Sequence, residues 1–186
     1  MANERKRVPN SERKRISMER LKELIHYSPD TGSFTRVSAA RAQMSHLIGK
    51  SAGYIKPGGN ADGGGYLMLY IDGRVYRGHH VAWFWMTGEW PTLDIDHIND
   101  IRHDNSWSNL RAATRSQNIG NARMPHDSWS GVKGATWDRA RRQWRAQITF
   151  NGKNIHLGRY PTKEAAGAAY EAASRKYFGE FARVSA

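Results

Sequence analysis

Two dipeptides set the first limits on the fold. Asp72-Gly73 and Asn151-Gly152 each interrupt apolar and aromatic runs, YLMLYI before RVYRG and QWRAQITF before KNIHLGRY. Aspartate or asparagine followed by glycine is preferred in two-residue primed turns, because both turn positions need a positive φ. Each dipeptide therefore predicts an antiparallel hairpin. The second joins strands over 143–150 and 153–159, with a further strand over 132–137. Elsewhere the periodicity is helical. Ser17 is an N-cap for MERLKELIHY, which places Met18, Leu21, Leu24 and Ile25 on one helical face. HHVAWFWMTG reads as a short buried helix ended by Gly88, and DTGSF and the glycine-rich GGNADGGG as turns between short strands. Thr162 caps TKEAAGAAYEAASRKYFG, with Glu164 in the first turn and Gly179 past the end. Ala166, Ala169, Ala173 and Tyr177 fall near one face, where small side chains let the helix lie close to a sheet. The fold class is α+β.

A chain of 186 residues accommodates one large domain or two small ones. Residues 1–16 carry too little apolar surface to order themselves and read as a flexible basic arm. The turn-rich HDSWSG divides the rest into a module over 17–125, a linker over 126–130 and a second module over 131–186. The net charge of +12 attracts polyanions. Nucleic acid is the expected partner rather than a membrane, since the longest apolar stretch, VAWFWM, falls far short of the roughly 18 to 20 residues of a spanning helix. The basic N-terminus has no hydrophobic segment behind it, so a cytoplasmic location is expected. The absence of cysteine excludes disulfides, thiolate zinc sites and cysteine nucleophiles. Any metal must be held by histidine, carboxylate or amide oxygen.

Chemistry concentrates in DIDHINDIRHDNSWSNLRAATRSQN, residues 94–118. Hydrolysis of a phosphodiester needs a base for the attacking water and a cation to stabilise the departing oxygen. His97 is the natural base near neutral pH. Asp96 supplies an anionic oxygen and Asn118 a neutral one, a donor set that suits Mg²⁺ or Mn²⁺ better than zinc. Neighbours in a strand point to opposite faces, so Asp96 and His97 serve one site only where the strand ends, which Asn99-Asp100 provides. Thr114 with Gln117 three residues on matches a capping box and puts Asn118 in the first turns of a helix. For a lone Asp-His pair the better reading is a solvated loop, because Asp and Asn stabilise turns through their own backbone. Only the whole spacing reverses that preference. Asn105 reads as a turn residue, His103 as a surface histidine beside Asp104, and His79 and His80 as packed at a helix start. Arg111 and Arg115 are divided evenly between contact with a substrate phosphate and ordinary solvation.

The strand ending in Asp-His, the loop, the second strand LRAA and the helix carrying Asn118 together resemble the HNH nuclease motif, the ββα-metal fold. The likeness is closest to phage and mobile-element homing endonucleases, in which asparagine replaces the last histidine. It implies Asp96 and Asn118 as metal ligands, His97 as general base and Asn109 as the loop asparagine that holds the base in place. YRGHHVAWFW resembles the preceding helix and extends the likeness over 66–123, with TGSF an earlier echo. The implied activity is Mg²⁺- or Mn²⁺-dependent hydrolysis of double-stranded DNA, by nicking, without a small-molecule cofactor. The expected protein is a monomer, in the host bacterial cell if phage-encoded.

Residues 131–182, in GVKGATW…RRQWRAQITFNGKNIHLGRYPTKEAAGAAYEAA…FGEFA, resemble the APETALA or ethylene-response-factor DNA-binding domain, whose three-stranded sheet lies in the major groove with a helix behind it. Alternation turns Trp144, Ala146, Ile148 and Phe150 toward the helix and leaves Arg145, Gln147 and Thr149 on the open face. Lys133, Trp137, Asn154 and His156 are expected to join that face, with Arg139, Arg141 and Arg142 at DNA phosphates. The rival readings are a DNA-binding regulator with an inactive nuclease module and a poorly selective nuclease. The set of Asp96, His97 and Asn118 favours cutting over the first, and the dedicated reader domain argues against the second.

Overall fold

The computed structural model describes residues 15–39, 42–57, 64–122, 124 and 128–183. Residues 1–14 of the expected arm, residues 58–63 of the glycine-rich run and residues 126–127 of the expected linker lie outside the described residues. The architecture is mixed α+β, with small antiparallel sheets and helices. The chain divides into two compact units, Met1–Ala112 and Ala113–Ala186.

In the first unit, helix α1 (Met18–Leu24) starts at Ser17, whose hydroxyl accepts from the Arg20 N–H. The helix ends one residue before the expected face does: Ile25–Ser28 is strand β1, paired antiparallel with β2 (Ser33–Arg36). Burial explains the correction. Ile25 and Tyr27 alternate with exposed His26, and Tyr27 stacks on Phe34 across the pair, 4.8 Å between ring centroids. A continued helix would break both this period of two and the stacking. Strands β3 (Tyr54–Lys56), β4 (Tyr66–Ile71) and β5 (Arg74–Arg77) form an antiparallel sheet in that order. The predicted turn joins the last two, with Asp72 at φ 45° and Gly73 at 78°. Helix α2 (Gly78–Thr87) follows and is stopped by left-handed Gly88. Leu21, Ile25, Tyr27, Phe34, Leu69 and Val81 form the centre of the core. Strands β6 (Asp94–His97) and β7 (Leu110–Ala113) make a separate two-stranded sheet.

The second unit begins with helix α3 (Arg115–Asn121). Strands β8 (Ala135–Asp138), β9 (Gln143–Phe150) and β10 (Lys153–Tyr160) form a sheet ordered β10-β9-β8, and α4 (Lys163–Phe178) packs on it. The Asn151-Gly152 turn has φ of 49° and 74°, as a primed turn requires. Thr162 caps α4 by accepting from the Ala165 N–H. Strand β8 begins three residues later than the sequence suggests. Gly134 has φ of +75°, and a Cβ there would stand 1.9 Å from the Tyr170 ring, so the chain bends around α4 before it can pair. Among the described residues no helix is long and apolar enough to cross a membrane.

Candidate active site

Between β6 and β7 the chain makes a long polar loop whose side chains hydrogen-bond one another and the loop's own backbone. Asn109 closes it from both ends: its Oδ1 accepts from the Asn99 N–H at 2.9 Å and its Nδ2 donates to the Asp104 carbonyl at 2.8 Å. Asp104 tightens the interior, accepting from the Ser106 N–H and hydroxyl on one oxygen and from Asn99 Nδ2 on the other. The first of these is an Asx turn, the local pattern that Asp-x-Ser favours. Asp100 takes a left-handed φ of 62° as the strand breaks off. Asn109 thus fastens the loop that follows His97.

His97, at the end of β6, is 5% exposed. Its Nε2 lies 3.5 Å from Asn105 Oδ1, the outer limit for such a bond. Asn105 is fully buried, which corrects its reading as a turn residue. Its Nδ2 donates to the His103 carbonyl at 3.0 Å, so the amide oxygen must be the atom facing the imidazole. An acceptor there requires the proton on Nε2. The lone pair is therefore on Nδ1, the arrangement a general base needs. Burial, the largest influence, pushes the His97 pKa down, while the Asn105 contact and the charges of Asp96 and Asp104 act against it. The imidazole is neutral at neutral pH. Behind it the ring of His79 stands edge-on at 5.1 Å, itself held down to about 2 by burial, then by the charges of His80, His97 and Arg77.

Asn105 is held by a segment far away in sequence. Tyr27 donates its hydroxyl to the Asn105 carbonyl at 2.7 Å, and the Trp107 N–H reaches the Pro29 carbonyl at 2.8 Å. At the tip of the β1–β2 hairpin, Gly32 has φ of +68°, and a Cβ there would lie 2.2 Å from the Ser106 nitrogen. Polar loop residues are ordinarily exposed, so residues 94–118 carry no signal that Asn105 would be buried. The only available hint was the TGSF segment.

Asp96 and Arg111 form a nearly buried pair, with Nε and a terminal nitrogen of the guanidinium 3.0 and 2.9 Å from the same carboxylate oxygen. Arg111, divided on the sequence between a substrate phosphate and ordinary solvation, is paired with Asp96. Among the described residues no three His, Cys, Asp or Glu side chains cluster as a protein-only metal cage demands. One carboxylate fits the other mode of binding, in which Mg²⁺ keeps its waters and uses one or two carboxylates with substrate phosphates. Asn118 lies half-buried in α3 of the second unit, behind a complete capping box between Thr114 and Gln117; Arg115, the first residue of α3, is exposed.

In the second unit the cross-strand register sorts the expected DNA contacts by face. Trp137 pairs with Trp144, Thr136 with Arg145, Asn154 with Thr149 and His156 with Gln147. Directly paired residues share a face. Arg145, Gln147, Thr149, Asn154 and His156 therefore share the open face, joined by Thr136, which the sequence reading missed. Trp137 does not. It lies on the Trp144 side and meets that ring edge-on at 5.3 Å. Lys133 is also displaced from the expected face: its ammonium donates to the Gly120 and Ala122 carbonyls at 2.7 and 2.6 Å and lies over the Tyr170 ring. Burial lowers its pKa to about 8. On the open face the Thr149 hydroxyl donates to Asn154 at 2.6 Å, and Arg145 Nε is buried without a partner among the described residues. Arg139, Arg141 and Arg142 stand exposed in the hairpin loop, Arg141 within 3.6 Å of Asp138.

A structure described as DNA binding and cleavage by the HNH homing endonuclease I-HmuI aligns with a TM-score of 0.38 and 17% identity, covering 81% of this chain and 79% of that one. An uncharacterized HNH endonuclease of Acanthamoeba polyphaga mimivirus is 29% identical over 119 residues, which are 63% of this chain and 61% of the relative. Protein 3.8 of Escherichia phage T7 is 32% identical over 111 residues, 59% of this chain and 91% of that protein. The HNH endonuclease family model matches residues 76–119, from the end of β5 through the polar loop into α3. The chain thus belongs to the HNH endonuclease family.

Proposed function

We propose that this protein is a metal-dependent homing-type endonuclease that nicks double-stranded DNA, with His97 as the general base. One observation carries the reading: a buried, neutral imidazole whose Nε2 faces an amide oxygen, inside a loop tied shut by Asn109. His97 Nδ1 takes a proton from the water that attacks phosphorus. Asn105 keeps the ring in the right tautomer, and Asn109 keeps Asn105 in place through the loop. Arg111 fixes one oxygen of Asp96. A Mg²⁺ or Mn²⁺ ion, held by Asp96 and by Asn118 as the sequence resemblance implies, would stabilise charge on the departing 3′ oxygen. One base serves one strand at a time, which makes nicking the expected product.

The second unit is the proposed reader of DNA. Its resemblance to ethylene-response-factor domains and the open row of Arg145, Gln147, Thr149, Asn154 and His156 support that role. Arg139, Arg141, Arg142 and Arg115 then contact phosphates. The test is incubation of the purified protein with supercoiled plasmid and Mg²⁺ or Mn²⁺, beside His97→Ala and an EDTA control. Relaxation that needs the metal and is lost in the variant is expected. Tight binding without breaks in the wild type would replace this proposal with a DNA-binding regulator. Mapping the breaks tests the homing assignment: one site is expected, and scattered breaks would refute it.

A further inference from the structure

Tyr66, the first residue of β4, places its ring centroid 6.2 Å from that of His97 and 5.2 Å from that of His79. Two guanidinium groups share this ring: Arg77 Cζ lies 5.3 Å from its centroid and Arg102 Cζ 5.5 Å. They arrive from separate elements. Arg77 ends β5 and pairs with Met68, two residues along β4 from Tyr66, so Arg77 and Tyr66 are diagonal neighbours on one face. Arg102 comes from the loop that Asn109 closes. Lys56, paired directly with Tyr66, adds an exposed cation to the same face.

Like charges gathered at one ring repel each other and need an anion. Neither Arg77 nor Arg102 forms an ion pair among the described residues. Two carboxylates, Asp100 and Asp104, lie two residues from Arg102 in the sequence, and Asp104 already accepts from Ser106 and Asn99. Arg77 is exposed and Arg102 and Tyr66 are half-buried, so the group is open to an incoming ligand. A guanidinium stacked on an aromatic face keeps its in-plane N–H donors available, which suits a phosphodiester oxygen.

Resting on the reading of His97 as the base, we infer that Tyr66, Arg77 and Arg102 form a phosphate clamp that binds the DNA backbone beside the bond being cut. The guanidiniums lie on Tyr66 rather than on the imidazole, so the phosphate they take adjoins the scissile one and sets its distance from His97. Arg77 and Arg102 touch the substrate. Tyr66 is a positioning residue that acts through them.

The clamp is tested by the affinity of the full chain for a short mixed-sequence duplex, measured across a range of salt in EDTA so that no cleavage intrudes. Each phosphate contact contributes about 0.9 to the slope of log affinity against log salt. The double variant Arg77→Gln with Arg102→Gln is expected to lose at least about 0.9 of that slope. Tyr66→Phe keeps the ring and should bind as wild type does, whereas Tyr66→Leu should take on the reduced slope. In plasmid cleavage the double variant should raise KM by about tenfold, as the loss of a good charged contact does. An unchanged salt slope in the double variant overturns the clamp, whether or not the wild type cuts. A wild type that never cuts, with the slope still reduced in the variant, refutes the nuclease reading and leaves the clamp standing.

Discussion

In the proposed mechanism His97 and Asn105 act as one unit, and their separation can be tested. Asn105→Ala removes the oxygen that faces Nε2 and frees the ring to take the other tautomer. Cleavage should slow by about 10² to 10⁴, the usual contribution of a positioned base, with DNA affinity little changed. Single-turnover rates and binding measured on the same variant check this. His79 offers a second prediction, in stability. Its folded pKa is about 2 against an ordinary 6.5, so the unfolded chain binds the extra proton. His79 therefore destabilises the fold as pH falls: stability is complete above about 6.5 and is lost progressively below it. The lowered pKa values of His80 and His97 act in the same direction. Between about pH 7 and pH 4.5 His79 alone should cost about 2 to 3 kcal/mol. Urea unfolding at both pH values measures the loss, and His79→Phe should reduce it.

The β1–β2 hairpin supports the active loop, and its tip has no spare room. Gly32 meets two demands at once, a left-handed φ and a backbone nitrogen 2.2 Å from where a Cβ would be. Gly32→Ala should destabilise the protein by about 2 to 4 kcal/mol, from the strained conformation and the overlap together. Because the hairpin presses on Asn105 and Ser106, cleavage should fall more than thermal stability alone accounts for. Melting temperature and rate at a temperature well below it separate the two effects. In the second unit, Thr162→Ala removes the hydroxyl that accepts from Ala165 at the start of α4 and should cost about 1 kcal/mol, read from the urea midpoint. Since α4 carries the face of the sheet opposite Arg145, DNA binding should follow this loss of stability and not exceed it.

For the molecule as a whole, the governing quantity is charge. A net +12 on 186 residues lets long-range attraction bring the chain to DNA before any specific contact forms. If about six to ten phosphates are contacted, affinity should drop by roughly 10³ to 10⁵ between 50 and 200 mM salt, measured by titration of a labelled duplex. Salt-insensitive binding would remove the electrostatic account. The division at Ala113 puts Asp96, His97 and Asn109 in the first unit and Asn118 in the second. The expected boundary at 126–130 was read from turn residues, whereas compactness follows packing: α3 gathers with the second unit, where Lys133 bonds its last carbonyls and Phe178 lies against Gly120.

Local chemistry was legible wherever a few neighbouring residues decide the conformation. The Asp72-Gly73 and Asn151-Gly152 turns, the caps at Ser17, Thr114 and Thr162, and the two-ended tie made by Asn109 all depend on spacings of a few residues. Packing decided the rest. Ile25 left the helix because Arg36 offered a strand partner, Asn105 became buried because a hairpin some 70 residues earlier closes over it, and Trp137 changed face because its partner is Trp144. For Trp137 the cause is that the face of a strand residue alternates with register, so a shift of one position reverses it. That register is set by contacts between segments distant in sequence, and no single segment contains it.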